Sequence, residues 1–101
     1  MRVLIFFDLP SVTSNDLKQY NGFRKTLINE GFIMMQESVY CKLALNMSIV
    51  NSIRNKISKR VPKKGIVQLL VITEKQFASI EYYCGDFQTN KINNTDRLIV
   101  L

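Results

Sequence analysis

Asp8 is the one carboxylate placed directly behind a run of strand-forming residues, where a sheet edge holds a side chain rigidly. Two roles fit it. It can ligate magnesium, which takes one or two carboxylates together with waters and substrate phosphate. One Asp8 per chain falls short of that, so a magnesium site requires the second Asp8 of a symmetric dimer. Alternatively, Asp8 opens a turn by accepting hydrogen bonds from the backbone around Ser11. Glu30, Glu37, Glu74, Glu81, Asp86 and Asp96 show no pairing that suggests a two-metal nuclease. The chain has no histidine, which excludes a metal-free ribonuclease built on paired imidazoles, so any hydrolysis needs a metal ion.

The second chemical feature is charge segregation. Residues 38 to 73 hold Lys42, Arg54, Lys56, Lys59, Arg60, Lys63 and Lys64 and no acidic residue, and they account for the formal charge of +6 on 101 residues. A net charge focused in this way is the electrostatic footprint of a polyanion-binding surface; its plain alternative is a solvated lysine-rich face. Cys41 and Cys84 have no CxxC spacing and no histidine to complete a zinc site, so both read as reduced, packed thiols.

The elements that must position these groups follow from periodicity. Arg2 to Asp8 reads as a buried strand, ended by Leu9-Pro10-Ser11. Thr13 to Asp16 starts a helix that runs to Gly31, with Gly22 as its weak spot. Phe32 to about Leu43 is strand, either one long bent strand or two joined by a kink, because no Gly, Pro or Asn-Gly marks a turn. Asn46 or Ser48 caps a second helix whose apolar stripe is Ile49, Val50, Ile53 and Ile57. Its other surface carries Arg54, Lys56, Lys59 and Arg60, and the turn Pro62-Lys63-Lys64-Gly65 extends that charge. Ile66 to Thr73 is a strand, residues 74 to 77 a turn, 78 to 84 a half-exposed strand, and 97 to 101 a final strand after a polar loop.

That order predicts one α+β domain over 1–101, a ferredoxin-like sandwich with two helices on one face of an antiparallel sheet. The central strands read as apolar on both faces, so the other face is expected to pack against a second protomer, giving a homodimer of charge about +12. The run Val3 to Phe7 is too short for a signal peptide or a membrane span, so a soluble, cytoplasmic protein is expected, with no membrane partner. Arg24 and Lys25 sit near the end of the first helix, where cations complement its dipole. Tyr40, Tyr82, Tyr83 and Phe87 read as core or interface packing and Met34-Met35 as filling.

Phe6-Phe7-Asp8-Leu9-Pro10, Phe23-Arg24-Lys25-x-Leu27, Gly31-Phe32, Gln36-x-Ser38-Val39-Tyr40 and Pro62-Lys63-Lys64-Gly65 together resemble the small CRISPR-associated adaptation proteins of the Cas2 family, over the whole chain. Thr73-Glu74-Lys75-Gln76-Phe77 and Asp96-Arg97-Leu98 resemble the type II-A variety. The resemblance implies a ferredoxin-like homodimer that bridges two dimers of the spacer integrase and holds double-stranded protospacer DNA. It also implies that Asp8 matches the family's metal-associated aspartate, for which magnesium-dependent ribonuclease or DNase activity has been attributed to some members. Arg24 and the Gln36-x-Ser38-Val39-Tyr40 strand align with family positions near that site. Two departures stand out. Leu17-Lys18-Gln19 replaces a basic residue common at the start of the first helix, and the chain ends at Leu101 where relatives often continue with an acidic tail beside the integrase, so a shortened chain or a reduced partner contact is expected.

The leading expectation is a scaffold that neutralises duplex phosphates through Arg24, Lys42, Arg54, Lys56, Lys59, Arg60, Lys63 and Lys64 without reading sequence. The rival is a phosphodiesterase in which Asp8 of both protomers holds one magnesium at the dimer interface. A third, an RNA-regulatory binder, wants exposed aromatics on the sheet face, which the buried-looking central strands oppose.

Overall fold

A computed structural model describes residues 1–86. The elements are β1 (Arg2–Asp8), α1 (Ser14–Asn29), β2 (Ile33–Gln36), β3 (Val39–Leu43), α2 (Met47–Ser58), β4 (Ile66–Ile72) and α3 (Glu74–Ala78). The sheet has the order β2-β3-β1-β4 and every pairing is antiparallel, which is the ferredoxin-like α+β arrangement the periodicity predicts.

Register assigns the faces, because residues directly opposite in an antiparallel pair share one. Val3, Ile5 and Phe7 of β1 stand with Val71, Leu69 and Val67 of β4. This face is packed by Phe23 and Leu27 of α1 and by Val50, Ile53 and Ile57 of α2. Burying each such side chain contributes about 1.5–3 kcal/mol, which ties both helices to one side of the sheet. Phe7 is the hub, edge-on to Phe23 at 5.3 Å and stacked on Tyr40 at 5.7 Å between ring centres.

Helix starts follow local chemistry. Thr13 accepts from the Asp16 amide and Asp16 accepts from the Thr13 amide, closing a capping box. Asn46, rather than Ser48, caps α2 by accepting from the Ile49 amide at 3.0 Å. Thr13→Ala is expected to lower the unfolding free energy by about 1 kcal/mol in urea titrations.

One open alternative is decided and two expectations change. The 32–43 segment is two strands, with a turn at Glu37 and Ser38 and a bulge between Met34 and Gln36. Residues 74–78 form a third helix instead of a turn, because Thr73 and Gln76 make a second capping box. The expected strand over 78–84 is absent: Ser79 caps α3, and residues 80–86 make no ladder. Phe87 and the expected final strand over 97–101 lie outside the described residues.

The second sheet face carries Leu4 and Cys41, covered at one end by Phe77 of α3 together with Met35 and Ile72. Arg2 anchors that helix, pairing with Glu74 at 2.9 Å and lying 4.3 Å over the Phe77 ring. Among the described residues the rest of this face is open, with Ile66 57% and Leu70 49% exposed. No helix among the described residues is long and apolar enough to cross a membrane.

Candidate nucleic-acid interface

Asp8 ends β1 on the open face, directly opposite Ile66, and is exposed. The backbone fixes its surroundings on both sides. The Phe7 amide donates to the Ser38 carbonyl at 3.0 Å, bringing the β2–β3 turn alongside. Gly65 packs so closely that a Cβ there would lie 2.5 Å from the Asp8 carbonyl oxygen. The Lys63-Lys64 turn is thereby pinned next to the end of β1. Among the described residues the Asp8 carboxylate has neither an ion pair nor a hydrogen bond, so the bonds of the turn-opening alternative are not made.

Magnesium binding is therefore incomplete within one protomer. No group of three or more Cys, Asp or Glu side chains that could hold a metal ion occurs among the described residues. Asp8 alone does not fit the ion, and a second carboxylate from another copy would be needed.

The basic residues divide by what they touch. Lys42 donates to the Glu30 carbonyl at the end of α1, and Lys56 pairs with the Glu30 carboxylate at 3.5 Å. Lys64, by contrast, lies within electrostatic reach of Asp16 in the first turn of α1. Asp16 and Glu30 lie about 21 Å apart along α1, so Lys64 and Lys42 serve opposite ends of that helix. Arg54 donates to Asn51 Oδ1 at 2.9 Å and is exposed. Lys59, Arg60, Lys63 and Lys64 are exposed and have no ion pair or hydrogen bond from their side chains among the described residues. These four form the charge most available to a polyanion, and Lys59 and Arg60 follow the negative end of the α2 dipole.

Arg24 is set apart from them. Neither it nor Lys25 reaches the last turn of α1, so the dipole reading fails for both. Instead Arg24 Nε donates to the Tyr40 hydroxyl at 2.9 Å, and that bond holds the guanidinium still more firmly in its charged form. Tyr40 itself is fully buried. Tyr40→Phe should cost about 1–2 kcal/mol in thermal or urea unfolding, because it leaves a half-buried guanidinium without its acceptor.

Other assignments divide similarly. Cys41 is buried, and burial pushes its thiol pKa up, whereas Cys84 is exposed and not packed. Tyr82 and Tyr83 are exposed too, Tyr83 by 92%, so neither belongs to the protomer core. Met35 fills the second cluster, while Met34 lines a cleft of about 390 Å³ with Tyr20 and Arg24.

A separate cleft of about 390 Å³ lies between the β1–α1 loop and the α2–β4 loop, lined by Pro10, Asn15, Gln19, Pro62, Lys63 and Lys64 among others. In sequence Asn15 and Gln19 read only as residues of a helix start, since nothing local signals that the Pro62 turn folds over them.

The chain matches the family "CRISPR associated protein Cas2" over residues 1–80. Curated relatives bear the name CRISPR-associated endoribonuclease Cas2. The one from Treponema denticola is 48% identical over 101 residues, covering all of both chains. That from Streptococcus mutans is 45% identical over 101 residues, all of this chain and 93% of the relative. The crystal structure of Streptococcus pyogenes Cas2 at pH 6.5 superposes with a TM-score of 0.63 at 16% identity, covering 83% of this chain and all of that one, a likeness of fold. With the family matched along most of its length and close relatives along all of it, the chain belongs to the Cas2 family of CRISPR-associated proteins.

Proposed function

We propose that this protein is the small subunit of a CRISPR spacer-acquisition complex, a cytoplasmic homodimer that holds double-stranded DNA by its phosphates and bridges dimers of the integrase. The observation that carries this reading is the exposed, unpaired group Lys59, Arg60, Lys63 and Lys64 at the end of α2 and in the turn behind it. Four exposed cations on one short stretch, none of them in an ion pair among the described residues, favour a polyanion and carry no base-reading geometry of their own, as expected of backbone contacts. The open sheet face, with Ile66 and Leu70 exposed, supports a second copy of the chain there.

A second reading has its own support: relatives bear the name endoribonuclease, and Asp8 is exposed and unpartnered on the open face. A two-fold through that face would set two Asp8 carboxylates to hold magnesium, which when bound supplies an activated water for phosphodiester hydrolysis. The chain's own part would be to bind the ion through Asp8 and the substrate phosphates through Lys63 and Lys64.

Cleavage of labelled RNA and duplex DNA in magnesium, measured beside duplex binding, separates the two. The scaffold reading expects Asp8→Ala to keep duplex affinity within about twofold, as for an exposed residue outside the contact set, and to change no cleavage rate. Cleavage lost only in the variant, with binding intact, would establish the hydrolytic reading.

A further inference from the structure

The cleft between the two loops has a composition that phosphate binding alone does not require. Pro10 and Pro62 give it apolar surface, Lys63 and Lys64 add positive charge, and the amides of Asn15 and Gln19 contribute hydrogen-bonding groups. Neither amide has a hydrogen bond to protein among the described residues, although each carries two donors and an acceptor. Asp16 also lines the cleft, with its Oδ2 accepting from the Thr13 amide. Its charge is felt by Lys64, which leaves Lys63 the freer cation for a phosphate. At about 390 Å³ the cleft lies in the size range of small-molecule sites, roughly 300–1,000 Å³. It is also rigidly framed, because the capping box fixes the start of α1 and the Gly65 contact with Asp8 fixes the lysine turn.

We infer that this cleft is a binding site for one unpaired nucleotide, its base lying against Pro10 and Pro62 with its edge on Asn15 and Gln19, and its phosphate on Lys63 and Lys64. A paired base inside a duplex cannot enter, because its edge is already hydrogen-bonded and both its faces are stacked. An unpaired nucleotide at a duplex end has both free. The inference rests on the proposed nucleic-acid reading and deepens it: the protein would distinguish DNA ends that carry an unpaired nucleotide from blunt ends, while the duplex is still held by phosphates alone.

The test compares a blunt duplex with the same duplex extended by one unpaired nucleotide at each end, by fluorescence anisotropy. The wild-type protein should bind the extended duplex about tenfold more tightly, the net contribution of the hydrogen bonds that Asn15 and Gln19 make to the base edge. An Asn15→Ala, Gln19→Ala double variant should lose that preference and bind the blunt duplex as the wild type does. Both residues are exposed on α1, so the fold should persist, and circular dichroism checks it. A second arm titrates deoxyguanosine 5′-monophosphate and follows the side-chain amide resonances of Asn15 and Gln19 by NMR, which should shift together. Equal affinity for the two duplexes, or a preference that survives the double substitution, would overturn the inference while leaving duplex binding standing. Shifted amides without any duplex binding would sustain the site and overturn the scaffold reading. Unshifted amides with no duplex binding would overturn both.

Discussion

Replacing Lys63 and Lys64 by glutamine should weaken binding of every duplex alike, by on the order of a thousandfold at 0.1 M salt, with no change in sequence preference. Two exposed cations without an ion pair among the described residues are lost per chain, hence four per proposed dimer. Each phosphate contact contributes about 0.9 to the slope of log affinity against log salt, so a wild-type slope of about −5 should flatten to about −2. Lys42→Gln is the instructive contrast. Its ammonium is spent on the Glu30 carbonyl about 21 Å along α1, so its loss should act on stability more than on affinity. Anisotropy titrations at several salt concentrations measure the wild type and both variants, and a Lys42 effect equal to that of the double variant would refute the division of the basic residues drawn from their partners.

Gly65→Ala should destabilise the fold by about 3–5 kcal/mol. Gly65 has φ +93°, where a side chain costs roughly 1–3 kcal/mol, and its new Cβ would stand 2.5 Å from the Asp8 carbonyl oxygen and 3.1 Å from Leu9 Cα. Backbone on that side has no flexible end to swing away, so β1 or the lysine turn must move, adding strain of the order seen on overpacking, about 1–3 kcal/mol. At about 4–8 °C per kcal/mol for a chain of this size, the melting temperature should fall by about 15 °C or more. Gly22→Ala tests the opposite case: nothing lies within 4 Å of the added Cβ in mid-helix, so α1 should gain about 0.5–1 kcal/mol. Thermal melts that rank the two variants the other way would contradict the close approach between the lysine turn and Asp8.

β1, α1, α2 and β4 were legible because each combines a clear period with a clear stop, such as Pro10 after β1 and Gly31 after α1. The β2–β3 turn was not, because Glu37-Ser38 has no Gly, Pro or Asn-Gly to mark it and register alone separates the strands. α3 had a usable signal in Thr73-x-x-Gln76, but the alternation over 78–84 is equally regular and it pointed to a strand that does not form. For the candidate site, the charge segregation located Lys59, Arg60, Lys63 and Lys64. What it could not locate was Glu30, whose carbonyl and carboxylate claim Lys42 and Lys56 from distant parts of the chain. The bond from Arg24 to Tyr40 and the folding of Pro62 over Asn15 are likewise products of tertiary packing, invisible to local spacing.

The central claim is that this protein holds duplex DNA through its phosphates, and the dependence of duplex affinity on salt tests it most directly. With about six phosphates neutralised, log affinity against log salt should be linear with a slope of about −5 and the same for unrelated sequences. A slope near zero, or an affinity that changes with sequence while salt leaves it untouched, would contradict the account.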